Sequence, residues 1–299
     1  MRPLKTQRYF NQDRWVGWLF FSGCALSLFV TFAIILSLGR ESFHFFSTIT
    51  FGEFFFGLDW SPLIEPRSFG IIPLIVGTLQ VTLWAAAIAL PLGLGVALYL
   101  SEFASPKTRS WMKPLLDLLA GIPSVVYGFF AVSILTPTLQ KIFPSMDFFN
   151  ALSAGIVVGI MILPLVTSLT EESLRAVPQS LRQSARALGA RDPQVIFGIL
   201  IPAAASGIGA AFMIAISRAI GETMAVTLAA GSNPNLSWNP LEGVQTLTAF
   251  VAQVSLGDTP AYTIEYYSMY AVAAVLFAIT FGLNIIARFF VKRTQFRHG

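Results

Sequence analysis

The chain has 299 residues, of which 55% are hydrophobic and 11% are charged, and its mean hydropathy is +0.70. Because soluble domains carry about 25% charged residues, this composition excludes an ordinary soluble domain. A formal net charge of +4 raises the question of nucleic-acid binding, and the single cysteine, Cys24, excludes an internal disulfide bond. The two histidines, His44 and His298, are too far apart in sequence to suggest a metal site.

Six apolar segments follow one another along the chain. They cover residues 15–38, 71–100, 114–135, 151–169, 203–230 and 267–291. A helix needs about 20 mostly apolar residues to cross a bilayer, so each segment predicts a transmembrane helix. The second and fifth segments are longer than a bilayer requires, and we expect those helices to tilt or to project from it. The sequence therefore predicts an all-α, polytopic membrane bundle of six transmembrane helices.

The basic residues are distributed unevenly among the loops. If the N-terminus is cytoplasmic, fifteen of the nineteen Lys and Arg residues fall on the cytoplasmic side, and only Arg40, Arg67 and Lys141 fall in external segments. Lysine and arginine are enriched in cytoplasmic loops, so this pattern predicts that both termini are cytoplasmic. Membrane topology then explains the net positive charge, which argues against a nucleic-acid-binding protein.

Two external loops, near residues 39–70 and 231–266, are long, and the first contains FHFF and FGEFFFGLDW. Aromatic clusters at a membrane boundary are typical either of an interfacial aromatic belt or of a docking surface for another protein, and the sequence leaves both interpretations open. There is no clear internal repeat or low-complexity linker. We therefore divide the chain into residues 1–68, with the N-terminus, the first span and its external loop, and one membrane domain over residues 69–299.

A polar and basic segment, residues 171–202, separates the fourth and fifth apolar segments. Its pattern predicts two short helices. Ala185 lies on the first helix, and Pro193, preceded by Asp192 as N-cap, suits the first turn of the second. Gly189 lies at the break, where glycine adopts a left-handed backbone conformation most easily. Such a loop fits a groove on another protein and transmits its movement; the alternative is an amphipathic helix on the lipid surface.

Two charged residues, Arg218 and Glu222, lie within the fifth apolar segment. On a helix, their spacing of four residues places them on one face. Each charge costs about 2.5–3.5 kcal/mol at the bilayer centre, so both should face protein or a water-filled path. The guanidinium group offers planar donors that match phosphate or sulfate oxygens. The pair suggests an anion gate in which Glu222 holds Arg218 in place or accepts a proton, with the hydroxyl group of Thr223 as a further donor. The alternative is a structural ion pair.

The remaining motifs concern packing and the absence of catalysis. Gly155 and Gly159 form a G-x-x-x-G pattern, typical of close helix contact, and Pro91, Pro123 and Pro164 are placed to kink their helices. The sequence has no G-x-x-x-x-G-K-[ST] loop to cradle ATP phosphates and none of the nucleophile or metal motifs of hydrolases. We therefore expect a chain that is not an enzyme and that has no catalytic residues, metal site or cofactor of its own.

The segment around Gly189 also carries a family resemblance. A Gly followed by nine residues and then I-L-I-P resembles the cytoplasmic coupling loop of ATP-binding-cassette (ABC) importer permeases, whose pattern is E-A-A-x-x-x-G, nine residues, I-x-L-P. Two residues depart from the pattern, since Gln and Ser stand here for Glu and the first Ala. The residues that the resemblance assigns to ATPase coupling are Gln183, Ser184, Ala185, Gly189, Ile199 and Pro202.

Five further stretches are similar to the phosphate-specific branch of these permeases. They are FGIIPLIVGTL, PLGLGVALYLSEFA, LLAGIPSVVYGFFA, GIMILP and SRAIGETMAV. SVVYGFFA and GETMAV look like the PstC type rather than the PstA type, which more often reads GETAPL. This resemblance runs from about residue 69 to the last span. It implies a type I importer permease of MetI-like fold, and it matches Arg218 and Glu222 to a charged pair that the family places in the translocation path.

The resemblance also implies partners and a location. It predicts a permease for inorganic phosphate in the bacterial inner membrane. A PstA-like permease would complete the pore, two PstB-like ATPase subunits would bind ATP and drive it, and a PstS-like protein would deliver phosphate. Two alternatives stay open: a permease for another oxyanion, such as sulfate, molybdate or tungstate, and a phosphate-sensing membrane scaffold that does not transport.

Overall fold

The computed structural model describes residues 7–257 and 259–295, with side chains given from Trp15 to Phe289 apart from residue 258. Within these residues, five helices are long and apolar enough to cross a membrane, and a pair joined at an 87° bend makes a sixth span if it is counted as one. The five are Trp15–Phe46, Ile72–Phe103, Ala151–Arg175, Asp192–Ile220 and Ile264–Phe289. This confirms the predicted all-α membrane bundle. The predicted inside residues Arg2, Lys5 and Arg297 lie outside the described part of the chain, and so do His298 and the external residue Asp258.

The first helix, α1 (Gln7–Phe46), lies at the edge of the bundle. No residue in its most apolar stretch is buried, and its main helical neighbour is the last helix, α13 (Ile264–Gln295). An apolar helix that is exposed in this way is compatible with a lipid environment or a partner subunit, but not with water. The division of the chain at residue 68 stays a prediction.

The centre of the bundle is the contact between α3 (Ile72–Leu98) and α7 (Ala151–Arg175). Gly155 and Gly159 of α7 lie against α3 so closely that a Cβ atom on Gly155 would overlap Trp84, and one on Gly159 would lie 3.1 Å from the carbonyl oxygen of Ala85. The G-x-x-x-G pattern therefore is a helix contact, as predicted. A π-helical turn, Tyr99–Phe103, extends α3.

The third predicted span is broken by its proline. Helix α4 (Pro106–Gly121) ends before Pro123, and α5 (Ser124–Phe130) continues through a π-turn (Ala131–Leu135) into α6 (Thr136–Gln140). Since proline disfavours a helical conformation of the preceding residue, Ile122 is extended, with φ −68° and ψ 128°. Pro91 and Pro164, by contrast, lie inside continuous helices. The sequence predicted one span here but not an 87° bend.

The fifth predicted span is also two helices. Helix α10 (Ile201–Ile220) stops at Gly221, and α11 (Met224–Ala230) begins three residues later. The prediction of one continuous span over residues 203–230 is therefore wrong. Apolar composition alone does not reveal such a break, because the residues on both sides of it are equally apolar.

The Phe-rich segment after α1 folds into a small cap that packs on α12 (Leu247–Leu256) and α13. The cap contains α2 (Phe51–Phe56) and two short antiparallel strands, β1 (Trp60–Ser61) and β2 (Ser68–Phe69), with Trp60 opposite Phe69. Phe45 and Phe54 are fully buried, and the rings of Trp60 and Phe250 meet edge to face at 4.8 Å. Part of this aromatic cluster is thus a folded core, which neither a belt nor a docking surface explains. Other rings, among them Phe43, Phe51 and Phe56, are exposed.

Candidate translocation path and coupling loop

The break between α10 and α11 positions the charged residues of the fifth span. The last helical hydrogen bonds of α10 run from the Gly221 and Glu222 N–H groups to the carbonyl oxygens of Ser217 and Ala219, both at 3.2 Å. Arg218 therefore lies in the last turn of α10, whereas Glu222 lies beyond its end. The prediction that the two residues share one helical face is wrong for this reason.

The carboxylate of Glu222 is used locally. Its Oε1 atom accepts a hydrogen bond from the Ala225 N–H at 3.2 Å, so Glu222 caps the first turn of α11. Within the described residues, no ion pair joins Glu222 to Arg218, and Arg218 has no ion pair with any other carboxylate. Arg218 is exposed in the isolated chain, while Glu222 is half-buried. Among the described side chains, the guanidinium charge is consequently not neutralised by an ion pair.

The backbone at the break is held by three hydroxyl groups. Thr248 of α12 donates to the carbonyl oxygen of Glu222 at 2.7 Å, and Thr227 donates to that of Thr223 at 2.8 Å. The hydroxyl group of Thr223 donates to the Gly221 carbonyl oxygen at 3.3 Å. Non-helical backbone at membrane depth requires such partners or a water-filled cavity. The role of Thr223 toward a substrate stays a prediction.

The broken third span packs against this break. Gly128 of α5 approaches α11 so closely that a Cβ atom there would lie 2.9 Å from the Leu228 Cβ and 3.0 Å from the Ala225 Cα. The phenol of Tyr127 donates to the Leu119 carbonyl oxygen at 2.8 Å, which ties α5 back to α4 across the bend. The two interrupted spans are therefore one packed unit. Arg218 lies just before the break between α10 and α11.

The first helix of the predicted coupling loop (residues 171–202) is α8 (Gln179–Ala187), and it ends at a left-handed glycine as predicted. Gly189 has φ +84°, its N–H donates to the Arg186 carbonyl oxygen at 2.9 Å, and the Ala190 N–H donates to that of Ala185 at 3.1 Å. This pair of hydrogen bonds is the Schellman motif, which satisfies the last carbonyl groups of a helix. The left-handed conformation of Gly189 is confirmed.

The second helix of the loop differs from the prediction. Arg191, not Asp192, is the N-cap of α9 (Asp192–Val195), and its N–H donates to the Gln194 Oε1 at 2.8 Å. Helix α9 passes through a π-turn, Ile196–Leu200, directly into α10. Asp192–Ile220 is thus one helical rod, and at about 1.5 Å per residue it spans roughly 40 Å. One end lies in the coupling loop, and the other carries Arg218.

The six residues assigned to coupling occupy different surroundings. Ala185 is buried at 7% exposure and Ile199 is half-buried in the π-turn, whereas the others are exposed: Gln183, Ser184, Gly189 and Pro202. Leu188 at the tip of α8 is 89% exposed. An exposed leucine at the tip of a polar helix is available to a partner groove, and its exposure is a feature that the sequence pattern did not identify.

An ion pair that sequence reasoning missed fastens the loop to the bundle. Arg182 of α8 contacts Glu102, at the end of α3, with 3.0 Å between Nη1 and Oε1, and its Nη2 donates to the Leu174 carbonyl oxygen at 2.7 Å. The side chains of Arg182 and Glu102 are only 14% and 7% exposed. Charged residues distant in sequence give no local signal of such a pair.

The chain matches known proteins over most of its length. The family model described as binding-protein-dependent transport system inner membrane component matches residues 89–296. The probable ABC transporter permease protein YqgH of Bacillus subtilis is 31% identical, over 98% of this chain and 96% of that protein. The phosphate transport system permease protein PstC of Mesorhizobium japonicum is 33% identical, over 89% of this chain and 86% of that protein.

Solved structures agree on the fold. A bacterial alginate ABC transporter chain, solved with its pentasaccharide-bound periplasmic protein, aligns with a TM-score of 0.67 over 97% of this chain and 98% of that one, at 14% identity. A chain of the MetNI methionine ABC transporter aligns with a TM-score of 0.56 over 75% of this chain. At these identities the likeness establishes the MetI-like permease fold. The chain belongs to the family of inner membrane components of binding-protein-dependent transport systems, within the group that includes the PstC permeases.

Proposed function

We propose that the chain is the PstC-like permease subunit of an ATP-driven importer for inorganic phosphate. The observation that carries the proposal is Arg218, a cation at a broken membrane helix that has no ion-pair partner in the part of the chain that the structure describes. Relatives that match most of the chain are named phosphate transport system permease proteins. A charge in a membrane span faces protein or a water-filled path. A guanidinium group at such a point suits a tetrahedral oxyanion, because it donates in pairs to two oxygens.

The geometry of Glu222 supports a change in the assignment of roles. Since its carboxylate caps α11, it does not cancel the charge of Arg218 by direct contact. Arg218 would then attract the anion, and Glu222 would hold the end of the broken helix in place. Thr223 is proposed as a neighbouring hydroxyl in the same path.

The helical rod Asp192–Ile220 supports a mechanical link between ATPase and path. In the proposed complex, two PstB-like ATPase subunits bind ATP, and one of them receives the loop around Gln183, Ser184, Ala185 and Gly189. A movement of that loop shifts α9 and α10 together, because the helix runs from one to the other through the π-turn without a break. Arg218 moves at the far end of the rod, and the path opens or closes there.

The remaining parts of the proposal follow from the same family. A PstA-like permease completes the pore, and a PstS-like binding protein delivers phosphate to the external end, where the aromatic cap lies. The chain sits in the bacterial inner membrane with both termini in the cytoplasm. It performs no catalysis of its own and needs no cofactor, since ATP is hydrolysed by the partner.

Uptake of labelled phosphate tests the proposal. Cells that lack this gene are complemented with wild type, Arg218→Gln or Arg218→Lys, with excess sulfate, molybdate or tungstate as competitor. We expect wild type to restore uptake without competition, Arg218→Gln to abolish it, and Arg218→Lys to retain a part, at equal amounts of protein in the membrane. If another oxyanion suppresses the uptake of labelled phosphate, that oxyanion and not phosphate is the substrate. If phosphate-dependent signalling is restored without any uptake, the chain is a sensing scaffold instead.

A further inference from the structure

A second cationic site lies at the coupling-loop end of the bundle, away from the break that holds Arg218. The end of α3, the first turns of α4 and the end of α7 enclose a cavity of about 670 Å³. Three basic side chains line it: Arg109 and Lys113 from α4, and Arg175 from the last turn of α7. Each of the three comes from a helix, so the packing of α4 against α7 holds these cations together.

One buried carboxylate organises these three cations. Glu171 has a side chain only 2% exposed, and it forms ion pairs with Arg109, with Lys113 at 3.2 Å and with Arg175 at 3.9 Å. Three cations surround one carboxylate, so two positive charges are in excess. The side chains of Lys113 and Arg175 are 45% and 52% exposed, so that these two retain contact with the cavity while Glu171 does not.

The carboxylate of Glu102 does not cancel this excess. Glu102 follows the cavity residue Ser101, but it is paired with Arg182 of the coupling loop and accepts a hydrogen bond from the Ser101 hydroxyl group at 2.9 Å. A buried carboxylate needs one well-placed cation to offset its desolvation. Arg109 supplies that for Glu171, and the two further cations go beyond what folding requires.

We propose that this cavity binds a phosphate group, with Lys113 and Arg175 as its direct ligands and Glu171 as the residue that positions them. The group belongs either to the headgroup of an anionic phospholipid or to free inorganic phosphate. Basic pockets between membrane helices at the cytoplasmic side are suited to anionic headgroups. Exposed apolar side chains of the same helix, Trp111 and Leu115, would contact the acyl chains of a lipid. The site is separate from the proposed transport path. Its assignment therefore holds whichever anion the chain transports.

The test uses the complete permease complex with its partner subunits, purified and placed in nanodiscs. Wild type is compared with Lys113→Gln, Arg175→Gln and the double variant, all of which keep Arg109 beside Glu171, so that the buried carboxylate stays paired. Lys107→Gln is the matched control, since Lys107 is an exposed cation of α4 outside the cavity. Retention of phosphatidylglycerol against phosphatidylcholine is measured by native mass spectrometry, and binding of inorganic phosphate by titration calorimetry in phosphatidylcholine nanodiscs.

We expect Lys113→Gln and Arg175→Gln each to weaken binding about fivefold, because one basic residue contributes about 1 kcal/mol to the binding of an anionic lipid. Lys107→Gln should leave binding unchanged. If the substitutions weaken retention of phosphatidylglycerol, and inorganic phosphate does not displace that lipid from wild type, the ligand is a lipid. If the substitutions weaken binding of inorganic phosphate, and do so also in an Arg218→Gln background, the ligand is the free anion. Equal binding of both probes by wild type and the double variant would overturn the proposal, while labelled phosphate uptake tests the transport function separately.

Discussion

The carboxylate of Glu222 caps α11, and this contact changes what its substitution should do. An amide oxygen accepts a hydrogen bond from a helix N–H group as a carboxylate does. The cap is therefore separable from the charge by comparing glutamine with alanine at this position. Arg218, four residues earlier, does not depend on Glu222 for an ion pair within the described residues.

We predict that Glu222→Gln keeps most of the uptake and thermal stability. Glu222→Ala should lower the free energy of unfolding by about 1 kcal/mol, the usual contribution of a helix cap, and should transport poorly. Thermal unfolding of the purified complex and uptake of labelled phosphate measure the two effects. Loss of uptake in Glu222→Gln, at unchanged stability, would contradict the capping role and return Glu222 to the proton- or charge-bearing role that its position in the sequence suggested.

Gly189 is the second residue for which local conformation decides the outcome. Its φ of +84° costs a side chain about 1–2 kcal/mol. Apart from Gly189 itself and its two chain neighbours, no atom of the described residues lies within 4 Å of a Cβ built there. We predict that Gly189→Ala inserts normally but couples ATP hydrolysis to uptake less efficiently, and that Gly189→Asn is milder because asparagine tolerates this conformation.

Gly198→Ala is the control for this prediction, since Gly198 also has free space around it but has no positive φ. ATPase activity and uptake are measured on the same membranes. If the Gly189→Ala and Gly198→Ala variants show the same ratio of uptake to ATP hydrolysis, the left-handed backbone of Gly189 is not needed for coupling.

The contact of α3 with α7 is the element on which the bundle depends. Gly155 and Gly159 of α7 allow the close approach because they have no side chains where the helices meet, and Gly93 of α3 does the same against Val166. We predict that Gly155→Ala forces the helices apart and costs about 1–3 kcal/mol, as overpacking does. Gly95→Ala, in the same pair of helices but with open space around it, should leave the melting temperature of the detergent-solubilised protein unchanged. A similar melting temperature for both variants would contradict the packing role.

The ion pair between Arg182 and Glu102 joins two elements, helix α8 and the end of α3. Breaking one side of a buried pair costs about 3–5 kcal/mol, and both side chains are less than one-sixth exposed at 14% and 7%. We predict that Arg182→Gln lowers uptake and releases the ATPase subunits during purification. Glu102→Gln added to it should recover part of the loss, since no unpaired carboxylate remains.

Recovery should be incomplete, because Arg182 also donates to the Leu174 carbonyl oxygen. Co-purification of the ATPase with each variant is the measurement. Arg186→Gln serves as control, because Arg186 forms a pair with Asp192 that is more than half exposed on both sides, and such pairs contribute little. A double variant that is worse than Arg182→Gln alone would contradict the pairing argument.

At the scale of the whole molecule, the connecting segments gather at two ends. The coupling loop, the end of α3 and the start of α4 meet at one end through Arg182 and Glu171. The aromatic cap and the loops around Asp147 and Glu242 lie at the other, where Arg67 contacts Glu265 at 2.8 Å. The side-chain amide of Asn239 donates to Glu242, and this holds the pKa of that carboxyl group below its usual value.

The predicted orientation of these ends is testable by cysteine labelling. In a Cys24→Ser background, Ser232→Cys should react in intact cells with a membrane-impermeant maleimide, because its segment is predicted to be external. Ser180→Cys, an exposed residue of helix α8, should react only after the cells are opened. The reverse result would invert the topology and contradict the placement of the ATPase.

Features that depend on local composition were predictable from the amino-acid sequence alone. Hydropathy revealed the membrane spans, because an apolar segment of sufficient length is stable only in lipid or protein. Gly189 and the G-x-x-x-G of α7 were also predictable, since a left-handed glycine after a helix and small residues at helical spacing each have a local physical cause. The sequence placed Pro123 to kink its helix, but it placed Pro91 and Pro164 in the same way, and those two lie inside continuous helices.

The partners of the charged side chains, in contrast, depend on how the helices pack. Arg218 and Glu222 have the spacing of a helical pair, yet Gly221 ends the helix between them and Glu222 finds the Ala225 N–H group instead. The partners of Arg182 and Glu171 come from other helices, so no pattern in the neighbouring sequence reveals them. Ion pairs and caps depend on distances of a few ångström between elements, and those distances exist only once the helices have packed.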